Sequence, residues 1–219
     1  MIIYGVYFGE DFEILTNTFK NSIEQNTNHK YIIEKMEYEK ATVGKQGHFN
    51  NVRKLEKWND FIQQADEEEL VVLMDTDMVI LDDLNPTLTH DIAITTRDHP
   101  IKYNAGVVFV WPTAYAKDVF NRWYEMSKKI LPRPPRELLK KYKGLTQGAL
   151  ALIQAEYELQ ELPCDIYNLA HTDWPRYSDK TKVIHIKDEL RHACLNGIEP
   201  TDPVRKKLYH IYKKYEVRN

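Results

Sequence analysis

Two rhythms of apolar and polar positions run along this chain. Short apolar runs bounded by polar residues fall at 2–8, 31–33, 71–74, 92–96, 106–110 and 183–186, and each has the length of a strand. Between them apolar residues return every three or four positions. Phe12, Leu15, Phe19 and Ile23 share one helix face, with Asp11 placed to cap it, and Phe49, Val52, Leu55, Trp58 and Ile62 share another. Further helices are predicted near 114–130 and 146–157. A last one starts at Asp202-Pro203, with Val204, Leu208, Ile211 and Tyr215 inward. The polar stretch 39–48, with Gly44 and Gly47, reads as a loop, and the acidic run 66–69 as a solvated turn. Strands alternating with helices predict an α/β fold, with a mostly parallel central sheet covered by helices on both faces.

The third strand carries the chemistry. Val71-Val72-Leu73-Met74 leads straight into Asp75-Thr76-Asp77, so two carboxylates stand where a buried strand leaves the sheet. Ligands of open α/β sheets bind at that edge. Two close carboxylates raise one another's pKa unless a cation lies between them. Mg²⁺ or Mn²⁺ suits such oxygen ligands and bridges them to phosphates. The plainer reading of Asp-x-Asp is a turn or a cap.

Composition narrows the class. The 219 residues, 42% of them hydrophobic, suffice for one sizeable domain with a packed core. A net charge of −3 gives no case for nucleic acid as partner. Cys164 and Cys194 lack metal-ligand spacing, and a disulfide between them stays open. The first residues run into a strand pattern without a basic segment and a long apolar one, and no apolar run is long enough to span a membrane. A cytoplasmic protein, monomeric or weakly associating, is expected. Segment 128–143 holds three prolines and seven of the 30 basic residues. It reads as a solvated surface loop leading into a helix, or as a mobile basic lid over an anionic ligand.

Three further motifs follow the aspartates: Tyr103-Asn104-Ala105-Gly106 before an apolar run, Thr146-Gln147-Gly148 opening a helix, and Val183-Ile184-His185-Ile186-Lys187. Together with Asp-x-Asp, their order resembles the GT-A glycosyltransferases, most of all the retaining glycosyltransferase family eight. The resemblance spans roughly residues 1–190 and implies a single GT-A-like, Rossmann-like domain. Residues 1–100 would form a nucleotide-binding half and 101–200 a sugar and acceptor half, with 201–219 a C-terminal helix. It also implies transfer of a sugar from a nucleoside-diphosphate donor, uridine-linked, to a hydroxyl of a glycan, protein or small molecule.

Carried over by residue, the resemblance makes Asp75, Asp77 and His185 the ligands of a divalent ion. The imidazole favours Mn²⁺ over Mg²⁺. His185 is otherwise a core histidine. Asp75 would also lie near the ribose. Lys187, two residues after His185 on the same strand face, would meet the diphosphate or else be an ordinary exposed lysine. Asn104 would bond the transferred sugar, or cap a turn. Gln147 would lie by the reacting carbon. The family's Asp-Gln-Asp is here Thr146-Gln147-Gly148, and Thr146 is a natural helix cap. Tyr7, Phe8 and Gly9 end the first strand, where an aromatic can stack on a base and a glycine admits close approach. Lys54 would reach the nucleotide or be solvated, with Trp58 in the core. Arg97 and Asp98 are candidates for sugar hydroxyls, and Asp98 or Asp173 for the base an inverting reaction needs.

Other readings compete. Leu73-Met74-Asp75-Thr76-Asp77 also fits the first motif of haloacid-dehalogenase-type phosphatases, although that motif ends the first core strand and needs a later acidic pair. Sugar nucleotidyltransferases need a glycine-rich basic loop that Tyr7-Phe8-Gly9-Glu10-Asp11 does not supply. A non-catalytic sugar-binding module is the remaining alternative.

Overall fold

The structure is a computed structural model that describes every residue except 99–101, 143 and 218–219; the side chains of Asp11 and Thr172 are also outside the description. Strands β1 (Ile2–Phe8), β2 (Lys30–Met36), β3 (Val71–Met74), β5 (Ile92–Thr96), β6 (Tyr103–Val110) and β7 (Gln160–Pro163) form a six-stranded sheet in the order β2-β1-β3-β6-β5-β7. β1 runs parallel to β2 and β3, and β5 to β7. β6 runs against both of its neighbours. The sheet is therefore mostly parallel with one reversed strand. The reversal follows from length, because the six residues 97–102 that join β5 to β6 cannot hold the crossover a parallel pair requires.

Two further strands, β4 (Met78–Ile80) and β8 (Val183–His185), pair antiparallel in a small second sheet, with Met78 opposite His185. β4 and β7 are too short and too little patterned to have been expected from the sequence.

Helices cover both faces. Helix α1 (Asp11–Asn26) packs Phe19 and Ile23 on one face of the sheet with Val72, Met74 and Phe109. On the other face α2 (Gln46–Gln64) and α3 (Ala114–Ile130) bury Leu55, Trp58, Ile62, Phe120 and Trp123 over Leu73 and Val108. The helical spacing of those residues is the reason these helices form where expected. Helix α2 begins at Gln46, so the end of the expected loop is already helical. Helix α1 has Glu10, not Asp11, at its cap position.

Segment 128–143 does lead into a helix, α4 (Arg136–Tyr142), but it is not wholly solvated, since Ile130 and Leu131 are buried. Its Leu138 packs on α5 (Leu145–Ile153) at Gly148, where an added Cβ would come within 2.6 Å of the leucine side chain. A side chain after Gln147 would therefore have to displace Leu138. Thr146 does not cap α5. Gly144 holds the cap position, Thr146 lies inside the first turn, and its carbonyl accepts from Trp123 Nε1 at 2.7 Å.

After a short α6 (Cys164–Tyr167), two helices close the chain: α7 (Asp188–Asn196) and α8 (Pro203–Tyr215). They pack with β8 through Ile184, Leu190, Leu208 and Tyr212. Asp202 caps α8, accepting from Arg205 N at 2.8 Å, as its sequence suggests. Cys164 and Cys194 are both buried and free, so no disulfide joins them. Among the described residues, no helix is long and apolar enough to cross a membrane.

Trp58 is 1% exposed in the core under α2. Trp58→Ala should lower unfolding free energy by about 3–5 kcal/mol, read from the midpoint of urea unfolding at unchanged slope.

Candidate active site

The chain leaves β3 at Asp75 and is pinned at once. Asp75 N donates to Gly106 O of β6 at 2.9 Å, and Ile186 N beyond β8 donates to Asp77 O at 2.7 Å. These two bonds tie Asp-x-Asp to the Asn104-Ala105-Gly106 motif on one side and to the His185 motif on the other. His185, fully buried, then turns Nε2 toward both carboxylates, 3.0 Å from Asp77 Oδ1 and 3.5 Å from Asp75 Oδ2. One ligand atom from each of Asp75, Asp77 and His185 lies within 4.8 Å of the other two.

The tautomer of His185 follows from its second nitrogen. Nδ1 lies 2.9 Å from Asn168 Oδ1. Asn168 cannot be turned the other way, because its Nδ2 donates to Asn104 O at 3.1 Å and to Thr95 Oγ1 at 2.9 Å. Thr95 Oγ1 in turn donates to Asn104 O at 2.5 Å. A main-chain carbonyl therefore fixes the amide, the amide fixes the imidazole, and Nδ1 carries the proton. Burial lowers the His185 pKa to about 4, with nearby Lys187 adding to the fall and the two aspartates opposing it, so the ring is neutral at pH 7.

A neutral imidazole with its proton on Nδ1 presents a lone pair at Nε2. That lone pair and two carboxylate oxygens face one another with no proton between them, which is the donor set of a divalent cation. Two carboxylates and one imidazole fit Mn²⁺ or Mg²⁺.

The other oxygen of each carboxylate is held by a side-chain cation. Lys54 Nζ donates to Asp75 Oδ1 and Arg191 to Asp77 Oδ2. Burial pushes the Asp77 carboxyl up, while the positive charges of Arg191 and Lys187 pull it down. Lys54 also lies 4.5 Å above the Trp58 ring, and the Arg191 guanidinium 5.0 Å from that of Phe12. Lys187 is half-buried; burial lowers its pKa, and Asp75 and Asp77 oppose that fall.

Gly106 gives the site its space. A Cβ there would stand 2.9 Å from His185 Cε1 and 3.0 Å from Asn168 Nδ2, so the imidazole lies directly on the strand backbone. Asn104 belongs to β6 and not to a turn. It is 2% exposed, and its Nδ2 finds no oxygen acceptor among the described residues and stands beside the buried Cys164 thiol.

Two adjoining cavities meet at Asp75, Lys54 and Lys187. The larger, of about 350 Å³, runs past Tyr7, Phe8, Phe12, Asn50 and Gly47. Gly9 turns the chain just beyond Phe8, with φ of 78°. The Phe8 ring has the Arg53 guanidinium 5.6 Å away. The smaller, of about 110 Å³, ends at Gly106, Asn104, Gly144 and Gln147. Gln147 is anchored there through Nε2, which donates to Tyr103 O at 2.6 Å. Asp98 lines neither. It lies in a third cavity of about 440 Å³ with Arg97, Asp173 and Arg176. Its side chain is 95% exposed and 4.0 Å from Arg176, while Arg97 Nε stands 3.3 Å from Asp173 Oδ2. The sequence reading missed Arg191 and Asn168. Arg191 lies one helical turn after Lys187, a spacing that could have signalled it; Asn168 sits in no motif.

No protein-family model matches the chain, and comparison with curated proteins gives no match. Solved structures do share the fold. The apo-form glycosyltransferase GlyE of Streptococcus pneumoniae TIGR4 superposes with a TM-score of 0.65 at 11% identity, over 100% of this chain and 60% of that one. A glycosyltransferase involved in glycosylation of the major capsid of PBCV-1 gives 0.58 at 12% identity, over 91% of this chain and 98% of that one. The bifunctional glycosyltransferase WbbM gives 0.54 at 13% identity, over 96% of this chain and 51% of that one. This chain thus spans 60% of the length of GlyE and about half that of WbbM. At these identities the likeness establishes the fold.

Gly106→Ala should displace the His185 ring and weaken Mn²⁺ binding about 10- to 100-fold, measured by titration of free Mn²⁺ in electron paramagnetic resonance. A second outcome concerns pH. An unfolded histidine takes up a proton near 6.5, whereas buried His185 does so only near 4. Between those values the unfolded state binds more protons, so the His185 contribution to stability falls as pH drops from 6.5 to 4. Urea unfolding across that window should show a shallower dependence in His185→Gln.

Proposed function

We propose that this protein is a divalent-metal-dependent glycosyltransferase that moves a sugar from a nucleoside-diphosphate donor to a hydroxyl acceptor. The observation that carries the proposal is the convergence of Asp75, Asp77 and His185 lone pairs beside a cleft lined by Lys54, Lys187 and Arg191. The shared fold of glycosyltransferases agrees with it. The phosphatase alternative calls for a later acidic pair at the same site, and the group that the chain supplies there is the imidazole of His185.

Asp75, Asp77 and His185 would hold the ion, Mn²⁺ by preference, which when bound acts as a Lewis acid on the diphosphate. Lys54, Lys187 and Arg191 face two carboxylates, a surplus of about one positive charge before any ion binds. A diphosphate suits that surplus. Lys187 would neutralise the charge that grows on the departing diphosphate. The larger cavity takes the nucleotide, uridine in the reading from the family resemblance, between the end of β1 and α2. The smaller cavity takes the sugar, against Gln147 and the β6 backbone at Asn104.

Retention is the outcome we propose. Gln147 is a weak nucleophile, and its amide would orient the donor and stabilise positive charge on the sugar. The acceptor hydroxyl then attacks from the face the leaving group vacates and passes its proton to the departing phosphate oxygen. Asp98 and Asp173 lie in the third cavity with Arg97, so an inverting base there would have to act from beyond the β5–β6 end.

Asp77→Ala should abolish Mn²⁺-dependent release of nucleoside diphosphate from UDP-sugars, with the circular dichroism spectrum unchanged; full release in chelator would overturn the assignment. Gln147→Ala should lower turnover at least about tenfold with a smaller change in donor affinity. The anomeric coupling of the product in proton nuclear magnetic resonance reports the stereochemistry: a retained product supports the role given to Gln147, and an inverted one removes it.

A further inference from the structure

A relay of hydrogen bonds at the start of α2 fixes the polarity of one side chain in the nucleotide cavity. Gln46 Oε1 accepts from Ala41 N at 2.9 Å, and its Nε2 donates to Glu39 O at 2.8 Å. One of these partners is a main-chain N–H and the other a main-chain carbonyl, and neither can exchange roles. The Gln46 amide therefore has one allowed orientation. The same Nε2 also donates to Asn50 Oδ1 at 2.8 Å, one helical turn on. A flipped Asn50 would set two N–H groups against each other. Asn50 thus keeps its oxygen on Gln46 and turns its Nδ2 away. That nitrogen has no acceptor among the described residues, and Asn50 lines the larger cavity. The neighbouring Asn51 lines it too, but is exposed and held by no such bond, so it can present either end.

The position along α2 places this donor. Gly47, Asn50, Asn51 and Lys54 line the cavity along one helix face. Lys54 pairs with Asp75 at the metal end. Asn50 lies four residues back and Gly47 seven, or about 6 and 10 Å along the axis. A diphosphate at Lys54 and Lys187 would thus lay its nucleoside along this face.

We infer that Asn50, locked by Gln46, is a specificity-determining residue that presents hydrogen-bond donors to the exocyclic group of the base, selecting an oxo group over an amino group. The inference rests on the nucleotide-binding reading above and deepens it. At the fixed Asn50 amide an amine would face N–H groups, and an unpaired contact of that kind discriminates against it. Uracil and guanine carry the oxo group; cytosine and adenine carry the amine.

UDP and CDP test this, since their bases differ at the oxo or amino group and the adjoining ring nitrogen. Isothermal titration in Mn²⁺ should give UDP at least about tenfold tighter than CDP. Asn50→Asp, which replaces the donor by an acceptor of the same shape, should reduce or reverse that ratio. Gln46→Leu should bring it toward one by freeing Asn50 to flip, with the thermal midpoint of each variant reporting that it is folded. A purely structural role for Gln46 would weaken both nucleotides alike and leave the ratio unchanged, which would overturn the inference. Equal binding of UDP and CDP to the wild type would overturn it while leaving the transferase reading intact. Binding of neither would overturn both.

Discussion

The structure depends on one constraint: three hydrogen-bond acceptors are held face to face, largely out of water, without a proton to share. Asp75 Oδ2, Asp77 Oδ1 and His185 Nε2 are forced together by main-chain bonds from β6 and to β8. Left alone such a cluster is unfavourable, because lone pairs repel and buried carboxylates lose hydration. Two features offset this. Lys54 and Arg191 take the outer oxygens, and Asn168 holds the imidazole proton on the far side. What remains is an inward-facing set of lone pairs that a cation completes.

The fold supplies the precision that such a cluster needs. β3 lies inside the sheet between β1 and β6, so Asp75 starts from a fully buried strand. The small β4–β8 sheet sets Met78 opposite His185 and so brings the preceding Asp77 beside the imidazole. Gly106 lets the imidazole lie against β6. Through Asn168 the site also reaches Thr95 and the Asn104 carbonyl, so a single strand end supports both the candidate metal ligands and the proposed sugar cavity. This shared support is a physical reason for the Asn104-Ala105-Gly106 segment, independent of any contact that Asn104 makes with a ligand.

Much of the fold was legible because it rests on local rules. Helical spacing of Leu55, Trp58 and Ile62, and the apolar run before Asp75, were enough to place α2 and β3. The Asp202 cap identified α8. Elements set by tertiary contact were not legible. β4 and β7 have few residues of their own and exist through pairing with β8 and β5. Thr146 looks like a cap by composition, yet the cap falls two residues earlier because Gly144 takes the extended backbone. Within the site, the aspartates and His185 announced themselves by motif and order. Asn168 did not, because its role lies in a hydrogen-bond chain across three segments distant in sequence. Arg97 and Asp98 were placed beside the sugar by proximity to a strand end, but the chain turns them into a separate cavity.

The central claim is that His185 joins Asp75 and Asp77 as a ligand of a divalent ion through Nε2. Pulsed electron paramagnetic resonance of bound Mn²⁺ reads this directly, because a coordinated imidazole nitrogen couples to the electron spin. The account predicts a ¹⁴N coupling in the wild-type protein that disappears in His185→Gln while Mn²⁺ is still bound at saturating concentration. Mn²⁺ bound at the aspartates with no nitrogen coupling in the wild type would contradict it and make His185 a structural histidine.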